Sequence, residues 1–316
     1  MKKRRRLKKE VYYVFIGLVI LIIALTSLIK HINYTHSYEY KFLKLGYEKD
    51  QVEVILTLKE KQIDKLLEHK YDKNITSFIK QKYFIFNNLD RYLKYQKDNK
   101  STKLKDIVSI VNVHADYEWY DEDAIKDTDT SKGTMMLVNK FYHLKEDYVP
   151  ENIVDASKTY SYDENSATEE TLSAFKKMWV KAKSEDINLI ITSSYRTYKD
   201  QDKIWNSYAI RNSEEWADAY AARPGYSEHQ TGMALDIVTY KSTMDNFDET
   251  PEAKWLKDNA YKYGFILRYP KGKENLTGYD YEPWHYRYVG VENAKKIYKE
   301  GITFEEYYAY YVENKD

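Results

Sequence analysis

The pattern of apolar and polar positions changes character along the chain. Residues 11–29, VYYVFIGLVILIIALTSLI, form a run of 19 residues without a charge. As a helix rising about 1.5 Å per residue this run spans about 28 Å, close to the hydrocarbon thickness of about 30 Å. From residue 31 to about 125, apolar residues recur at three- and four-residue spacing within 51–58, 62–69, 75–81 and 89–95. That period predicts short amphipathic helices. Residues 121–132, DEDAIKDTDTSK, read as a polar, acidic linker.

From Gly133 onward the pattern becomes mixed. Residues 135–139 are apolar and strand-like, and a helix is expected over 167–184 behind a capping box of Ser166 and Glu169. The run INLIIT at 187–192 predicts a buried strand, and Thr197 can cap a helix running to about Arg211. Residues 233–238 predict another strand. Thr250, Pro251 and Glu252 begin a helix that Gly264 ends, with proline just inside the start and glycine past the end. Thr303 and Glu306 form a second capping box before a tyrosine-rich final helix. The fold class is therefore α+β, a domain with a small sheet and flanking helices, behind a helical module and a membrane helix.

Charge changes the picture at the N-terminus. The 316 residues carry 50 Lys+Arg and 50 Asp+Glu, yet the first ten, MKKRRRLKKE, hold seven cations and one Glu. By the positive-inside rule, residues 1–10 are a cytoplasmic tail, 11–29 a single-pass anchor, and the remainder lies outside the cell. The alternative is a cleaved signal peptide, against which stand the long apolar run and the lack of a small-x-small site before His36. The balanced charge argues against an electrostatic nucleic-acid partner. The chain has no cysteine, which excludes disulfides, thiol catalysis and Cys-ligated metals.

Any metal must then use His and carboxylate. Only His229 and His285 lie in the later half of the mixed domain, and Asp236 sits between Leu235 and Ile237 on an apolar strand. A carboxylate there needs a compensating partner. Two imidazoles and one carboxylate, with water as the fourth ligand, would make an open zinc site. The residues taken singly also fit a structural histidine and a strand-end aspartate, and spacing leaves both readings open. Glu282 lies three residues before His285, but Pro283 breaks a helix between them, so this is not the helical H-E-x-x-H arrangement. A turn would deliver Glu282 as general base at the start of a strand over 284–288, with His285 and Arg287 on one face. Otherwise Glu282 is a surface carboxylate near Arg287. Arg196 ends a buried strand at a loop, where its planar fork can hold a carboxylate or a developing oxyanion, or else form a structural salt bridge.

Three segments carry these residues: Ser193-Ser194-Tyr195-Arg196 with Gln201, then Ser227 to Asp236, then Glu282-Pro283-Trp284-His285. Together they resemble the VanY-type D-alanyl-D-alanine carboxypeptidases, zinc peptidases that trim peptidoglycan stems. The pattern S-x-Y-R with a Gln, S-x-H with an internal Gly and Ala before an Asp, and E-x-W-H is matched in order and separation over about residues 133–300. Ser194 stands where Gly is common. The resemblance implies zinc on His229, Asp236 and His285, and Glu282 as catalytic base. It implies Arg196 at the substrate carboxylate or scissile carbonyl, and Gln201 and Ser227 at the terminal D-residue. Tyr195, Tyr226, Trp284 and Tyr286 are candidate cleft walls. On this basis residues 126–316 are expected to be the zinc carboxypeptidase domain, and 30–125 an extracellular helical module or stalk.

The expected activity is removal of the terminal D-alanine from stem peptides. The related L,D-carboxypeptidase reaction on tetrapeptide stems shares the same metal and base. A serine nucleophile would need a Gly-x-Ser-x-Gly or a Ser-x-x-Lys motif. The chain has no Gly-x-Ser-x-Gly, and Ser157-Lys158 is not the second motif. A non-catalytic wall-binding protein would need a structural zinc closed by four protein ligands, and three are assignable.

Overall fold

The computed structural model describes residues 9–162, 164–240, 242 and 244–314. The basic tail, as far as residue 8, lies outside the described residues. The chain divides into two compact units, residues 1–93 and 94–316.

The first unit opens with the helix Lys9–His36, 28 residues long and without a buried side chain. It is the one helix among the described residues long and apolar enough to cross a membrane. Ser37 then caps the helix Tyr38–Leu45 by accepting from the Tyr40 N–H. The expected amphipathic segments are helices at Lys49–Ile55, Glu60–Leu66, Ile75–Ile79 and Leu89–Asp98, the last running across the division. Their apolar faces make one small core of Phe42, Val52, Ile55, Ile63, Leu66, Ile75, Phe86 and Leu89.

The second unit is built on a four-stranded sheet. Its strands are β1 (Ile190–Ser193), β2 (Ala234–Val238), β3 (Phe265–Leu267) and β4 (His285–Tyr288). They lie in the order β1-β2-β4-β3, all antiparallel. Successive side chains of a strand point to opposite faces. One face is apolar: Leu235, Ile237, Tyr286 and Tyr288 join a core with Leu172, Phe175, Met178 and Ala182 from the helix Glu169–Lys183. Ala253, Trp255 and Leu256 of the helix Pro251–Asn259 close the same core. The other face carries Asp236, His285 and Arg287, all buried and all polar. On β2 and β4 Asp236 is the direct partner of His285, and Ala234 of Arg287.

Several local expectations are corrected. Residues 135–139 are not a strand: a 3₁₀ turn covers Thr130–Met135, and only Asn139 forms a bridge, to Tyr142. The backbone carbonyls of this stretch serve side chains instead of a ladder. Thr134 O and Met136 O accept from Arg287, and Leu137 O accepts from the Thr128 hydroxyl. The capping box of Ser166 and Glu169 does not form. Ser166–Thr168 is extended and pairs with Ile153–Asp155, so the helix starts at Glu169 and Thr168 caps it by accepting from Thr171 N–H. The acidic stretch 121–132 contains the strand Lys126–Asp127, paired in parallel with Tyr142–His143.

Other signals are found as read. Thr197 caps Tyr198–Arg211, Thr250 caps Pro251–Asn259, and Thr303 with Glu306 forms a capping box at Phe304–Tyr307, followed by a π-helical turn, Tyr308–Glu313. The helix Leu104–Asn112, which no pattern above singled out, belongs to the second unit. Its Ile110 packs with Val113 and Leu276.

Candidate metal centre and active site

The site lies where β2, β4 and a one-turn helix meet. Ser227 starts the 3₁₀ turn Glu228–Thr231, its Oγ accepting from the His229 N–H. Gly232 ends the turn at φ 66°, and a Cβ there would lie 2.7 Å from Ile153 Cδ1. The left-handed backbone favours glycine, while the contact is with the end of a side chain that can move. The turn aims His229 at Asp236 on β2, which is Cα partner to His285 across the β2–β4 ladder.

The three candidate ligands converge. One donor atom from each of His229, Asp236 and His285 lies within 4.8 Å of the others, and all three residues are buried. His229 Nε2 is 3.5 Å from Asp236 Oδ2, and His285 Nδ1 is 3.3 Å from Asp236 Oδ1. The opposite nitrogen of His229, Nδ1, lies 2.6 Å from the carbonyl of Ser194 and donates to it. That bond leaves Nε2 as the lone-pair nitrogen, the arrangement usual for a metal-binding histidine. Asp236 Oδ1 is buried without a hydrogen-bond partner. An unpaired carboxylate oxygen between two imidazoles is costly in a buried site, and a divalent cation satisfies it. Two nitrogens and one carboxylate are a donor set that zinc accepts, with the fourth position free.

The electrostatics agree. Burial, then the nearby Arg196 charge, push His229 down to about 4, so its imidazole is neutral. Burial would raise the Asp236 carboxyl, but His229 and His285 outweigh it and hold it well below the usual carboxylate range. Burial opposes a charge on His285, yet the facing carboxylates of Asp236, Glu228 and Glu282 raise it well above the ordinary imidazole value. A cation entering the site must displace that proton, so binding weakens as the pH falls.

Around this cluster is a cavity of about 500 Å³ lined by Arg196, Gln201, Ser227, Glu282 and Trp284, with all three candidate ligands in its wall. Glu282 Oε2 is 3.3 Å from His285 Nδ1, and its side chain is 23% exposed, so it faces both cluster and cavity. The backbone of Glu282 is held by its N–H to Tyr269 O, and His285 N–H donates back to Glu282 O, which closes the turn that Pro283 requires. Arg196 is half-buried, its Nε has no partner, and it makes no ion pair among the described residues. The salt-bridge alternative for Arg196 is therefore not realised. Gln201 donates to Ala222 O at 2.7 Å and keeps its Oε1 buried and unpaired in the cavity wall. A serine and a lysine three residues apart occur at Ser27 and Lys30, Ser77 and Lys80, and Ser173 and Lys176, and none of these residues lines this cavity.

Of the residues expected as cleft walls, Trp284 lines the cavity and Tyr195 does not. Tyr195, beside Arg196, is half-buried, and its backbone N–H donates to Ser166 O. Tyr226 packs edge-on against Tyr120 and tilted against His143, and Tyr286 lies in the core on the sheet's apolar face. The cavity gains walls that no motif indicated: Tyr208, Trp216 and Tyr220 from two successive helices, and Tyr269 and Tyr279 from the loops around β3. Trp216 and Tyr220 stack at 4.3 Å and are partly exposed.

The residue most clearly missed is Glu228. It is fully buried beside His229, accepts from Arg268 Nε at 2.7 Å and Arg287 Nη1 at 2.9 Å, and faces His285 Nε2 at 3.6 Å. Burial would raise its carboxyl, but the two arginines outweigh burial and hold it well below the carboxylate range. No local signal marked it, because its burial depends on Arg268 and Arg287, 40 and 59 residues away in the chain. Arg268 had no motif to reveal it.

Comparison with known proteins covers the same region. Residues 164–291 match the family model VanY: D-alanyl-D-alanine carboxypeptidase. YodJ of Bacillus subtilis (strain 168), a putative carboxypeptidase by name, is 40% identical over 193 residues, 59% of this chain and 71% of its own. The bifunctional D-Ala-D-Ala dipeptidase and D-Ala-D-Ala carboxypeptidase VanXYC of Enterococcus gallinarum is 33% identical over 183 residues, 56% of this chain and 95% of its own. Among solved structures, the LdcB LD-carboxypeptidase superposes with a TM-score of 0.57 at 39% identity, covering 60% of this chain and 92% of its own. With the matched region, the shared fold and the convergent donors in agreement, the chain belongs to the VanY family of D-alanyl-D-alanine carboxypeptidases.

Proposed function

We propose that this protein is a membrane-anchored zinc carboxypeptidase that hydrolyses the terminal D-alanine from peptidoglycan stem peptides. The observation that carries the reading is one cavity that joins the three-donor cluster, Glu282 and an unpaired Arg196. Zinc is the cofactor this donor set fits, and when bound it supplies Lewis-acid polarisation and a more acidic water. Glu282, beside the cluster and open to the cavity, takes the proton of the attacking water and returns it to the departing amine. Arg196 carries the positive charge for the substrate carboxylate or for the developing oxyanion. Gln201 offers its free Oε1 to a peptide N–H, Ser227 holds the turn that presents His229, and Trp284 forms a wall. Three protein donors facing a cavity favour catalysis over a structural zinc, which is closed by four.

The helix Lys9–His36 serves as the anchor, with the basic tail in the cytoplasm and the peptidase domain outside, as the flanking charge predicts. A second reading, L,D-carboxypeptidase action on tetrapeptide stems, is supported by the likeness to LdcB. The deciding experiment incubates the detergent-solubilised chain with pentapeptide and tetrapeptide stems and weighs the products. Loss of one alanine from the pentapeptide supports the first reading. Cleavage confined to the tetrapeptide replaces it with the second, and turnover of neither removes the proposal.

A further inference from the structure

The two nitrogens of His285 face different partners. Nδ1 looks toward Asp236 Oδ1 and Glu282 Oε2, each 3.3 Å away. Nε2, on the far side of the ring, looks toward Glu228 Oε2 at 3.6 Å. Neither of these last two atoms has a hydrogen-bond partner, and both are buried. Leaving both unpaired costs the desolvation of each, and closing the gap by roughly 0.7 Å would bring them to hydrogen-bond distance.

Glu228 is not free to turn away. Its Oε1 accepts from Arg268 Nε and Arg287 Nη1, at 2.7 and 2.9 Å. Arg268 is itself gripped by the fork of Glu305, at 2.9 Å and 2.5 Å. Arg287 donates its Nη2 to the carbonyls of Thr134 and Met136. All four side chains are buried. The ring of Tyr269, its centroid 4.8 Å from that of His285, lies against the imidazole. The free oxygen of Glu228 is thus fixed in direction by groups that never touch the cavity.

We propose that Glu228 is the positioning residue that selects the Nε2–H tautomer of His285 and so presents Nδ1 to the metal. A neutral imidazole carries one N–H, and the partner of that N–H decides which nitrogen keeps its lone pair. A carboxylate oxygen accepts only, so once the Nδ1 lone pair is given to a metal the one remaining proton stays on Nε2, which faces Glu228. Without a metal the carboxylates 3.3 Å from Nδ1 favour a proton there as well. His229 is set the other way round, by a carbonyl: Nδ1–H on Ser194 O frees Nε2. The two histidines then ligate through different nitrogens, which suits rings inclined at 81° with centroids 5.1 Å apart.

The inference rests on reading His229, Asp236 and His285 as the zinc site, and its test separates the two. Glu228→Gln keeps the shape, but the paired arginines demand the amide oxygen, which turns the amide N–H₂ toward His285. A donor facing Nε2 favours the tautomer whose Nδ1 cannot ligate. Zinc affinity of the full chain in detergent is measured by chelator competition. Wild-type chain that binds no zinc removes the site reading. With wild type binding, E228Q is expected to bind about 10- to 100-fold more weakly. Glu305→Gln disturbs the same arginine without facing His285, and is expected to stay close to wild type. Unchanged affinity in E228Q, or an equal loss in E305Q, overturns the proposal. If either variant fails to fold, ¹⁵N-histidine spectra of the zinc-loaded wild type decide. Nε2 of His285 protonated and Nδ1 metallated is the expected result, and zinc on Nε2 overturns it.

Discussion

The two faces of the central sheet are made by the same strands and obey opposite rules. On β2, Leu235 and Ile237 enter an apolar core, while Asp236 between them is held among imidazoles. On β4, Tyr286 and Tyr288 pack against helices, while His285 and Arg287 join an ionic cluster. Both faces exclude water. The apolar face gains from that exclusion at about 25 cal/mol per Å². The polar face loses by it, and its charges survive only because each meets an opposite one. Stability is therefore concentrated on one face, while the other holds the groups a hydrolase needs. A one-residue shift of register would exchange them.

Three substitutions or conditions test this division, from the largest effect downward. Glu282→Gln leaves the donor cluster intact and removes the base, so zinc affinity should hold while turnover falls by about 10²- to 10⁴-fold. Retention of substantial activity would end the role given to Glu282. Leu235→Ala deletes a side chain from the apolar face and should cost about 2–5 kcal/mol in urea unfolding of the metal-free chain. Zinc affinity of its folded fraction should match wild type. A large affinity change would show that the two faces are coupled.

The smallest expected effect is on the acid limb. The folded carboxyls of Glu228 and Asp236 lie below their unfolded values, which are about 4. Their contribution is fully present above that range and is lost as the pH falls through it toward the folded values. His285 has the opposite sign, its contribution being lost as the pH rises through its elevated folded value. Metal-free chain should accordingly become easier to unfold from about pH 5 to about pH 3, and L235A should keep the same slope. An acid limb no steeper than that of E228Q would mean Glu228 contributes nothing to it.

The candidate site was largely readable before any fold was known. Spacing left His229, Asp236 and His285 open between ligand and structural roles, and the resemblance carried by the three motifs at 193–201, 227–236 and 282–285 singled them out with Glu282 and Arg196. Helix starts at Thr197, Thr250 and Thr303 were readable because a cap is an arrangement among residues three apart. The errors fall where distant partners decide. Residues 135–139 have the composition of a strand, but Arg287 claims the carbonyls of Thr134 and Met136 from 153 and 151 residues away. Ser166 and Glu169 have the spacing of a capping box, but the strand Ile153–Asp155 takes Ser166 first.

The sequence by itself determined the chemistry on offer: an apolar N-terminal segment, no thiols, and two histidines with carboxylates near enough in the chain to be worth joining. Local order and local spacing suffice for that, because side-chain type and short-range backbone preference are properties of neighbours. Only the tertiary structure decided that Arg196 makes no ion pair among the described residues, that Tyr286 lies in the core, and that Glu228 faces His285. Those facts depend on which strands pair and in what register, and on where a buried charge finds its counter-charge. No spacing rule contains that information, since Glu228 meets Arg268 and Arg287 across 40 and 59 residues of chain.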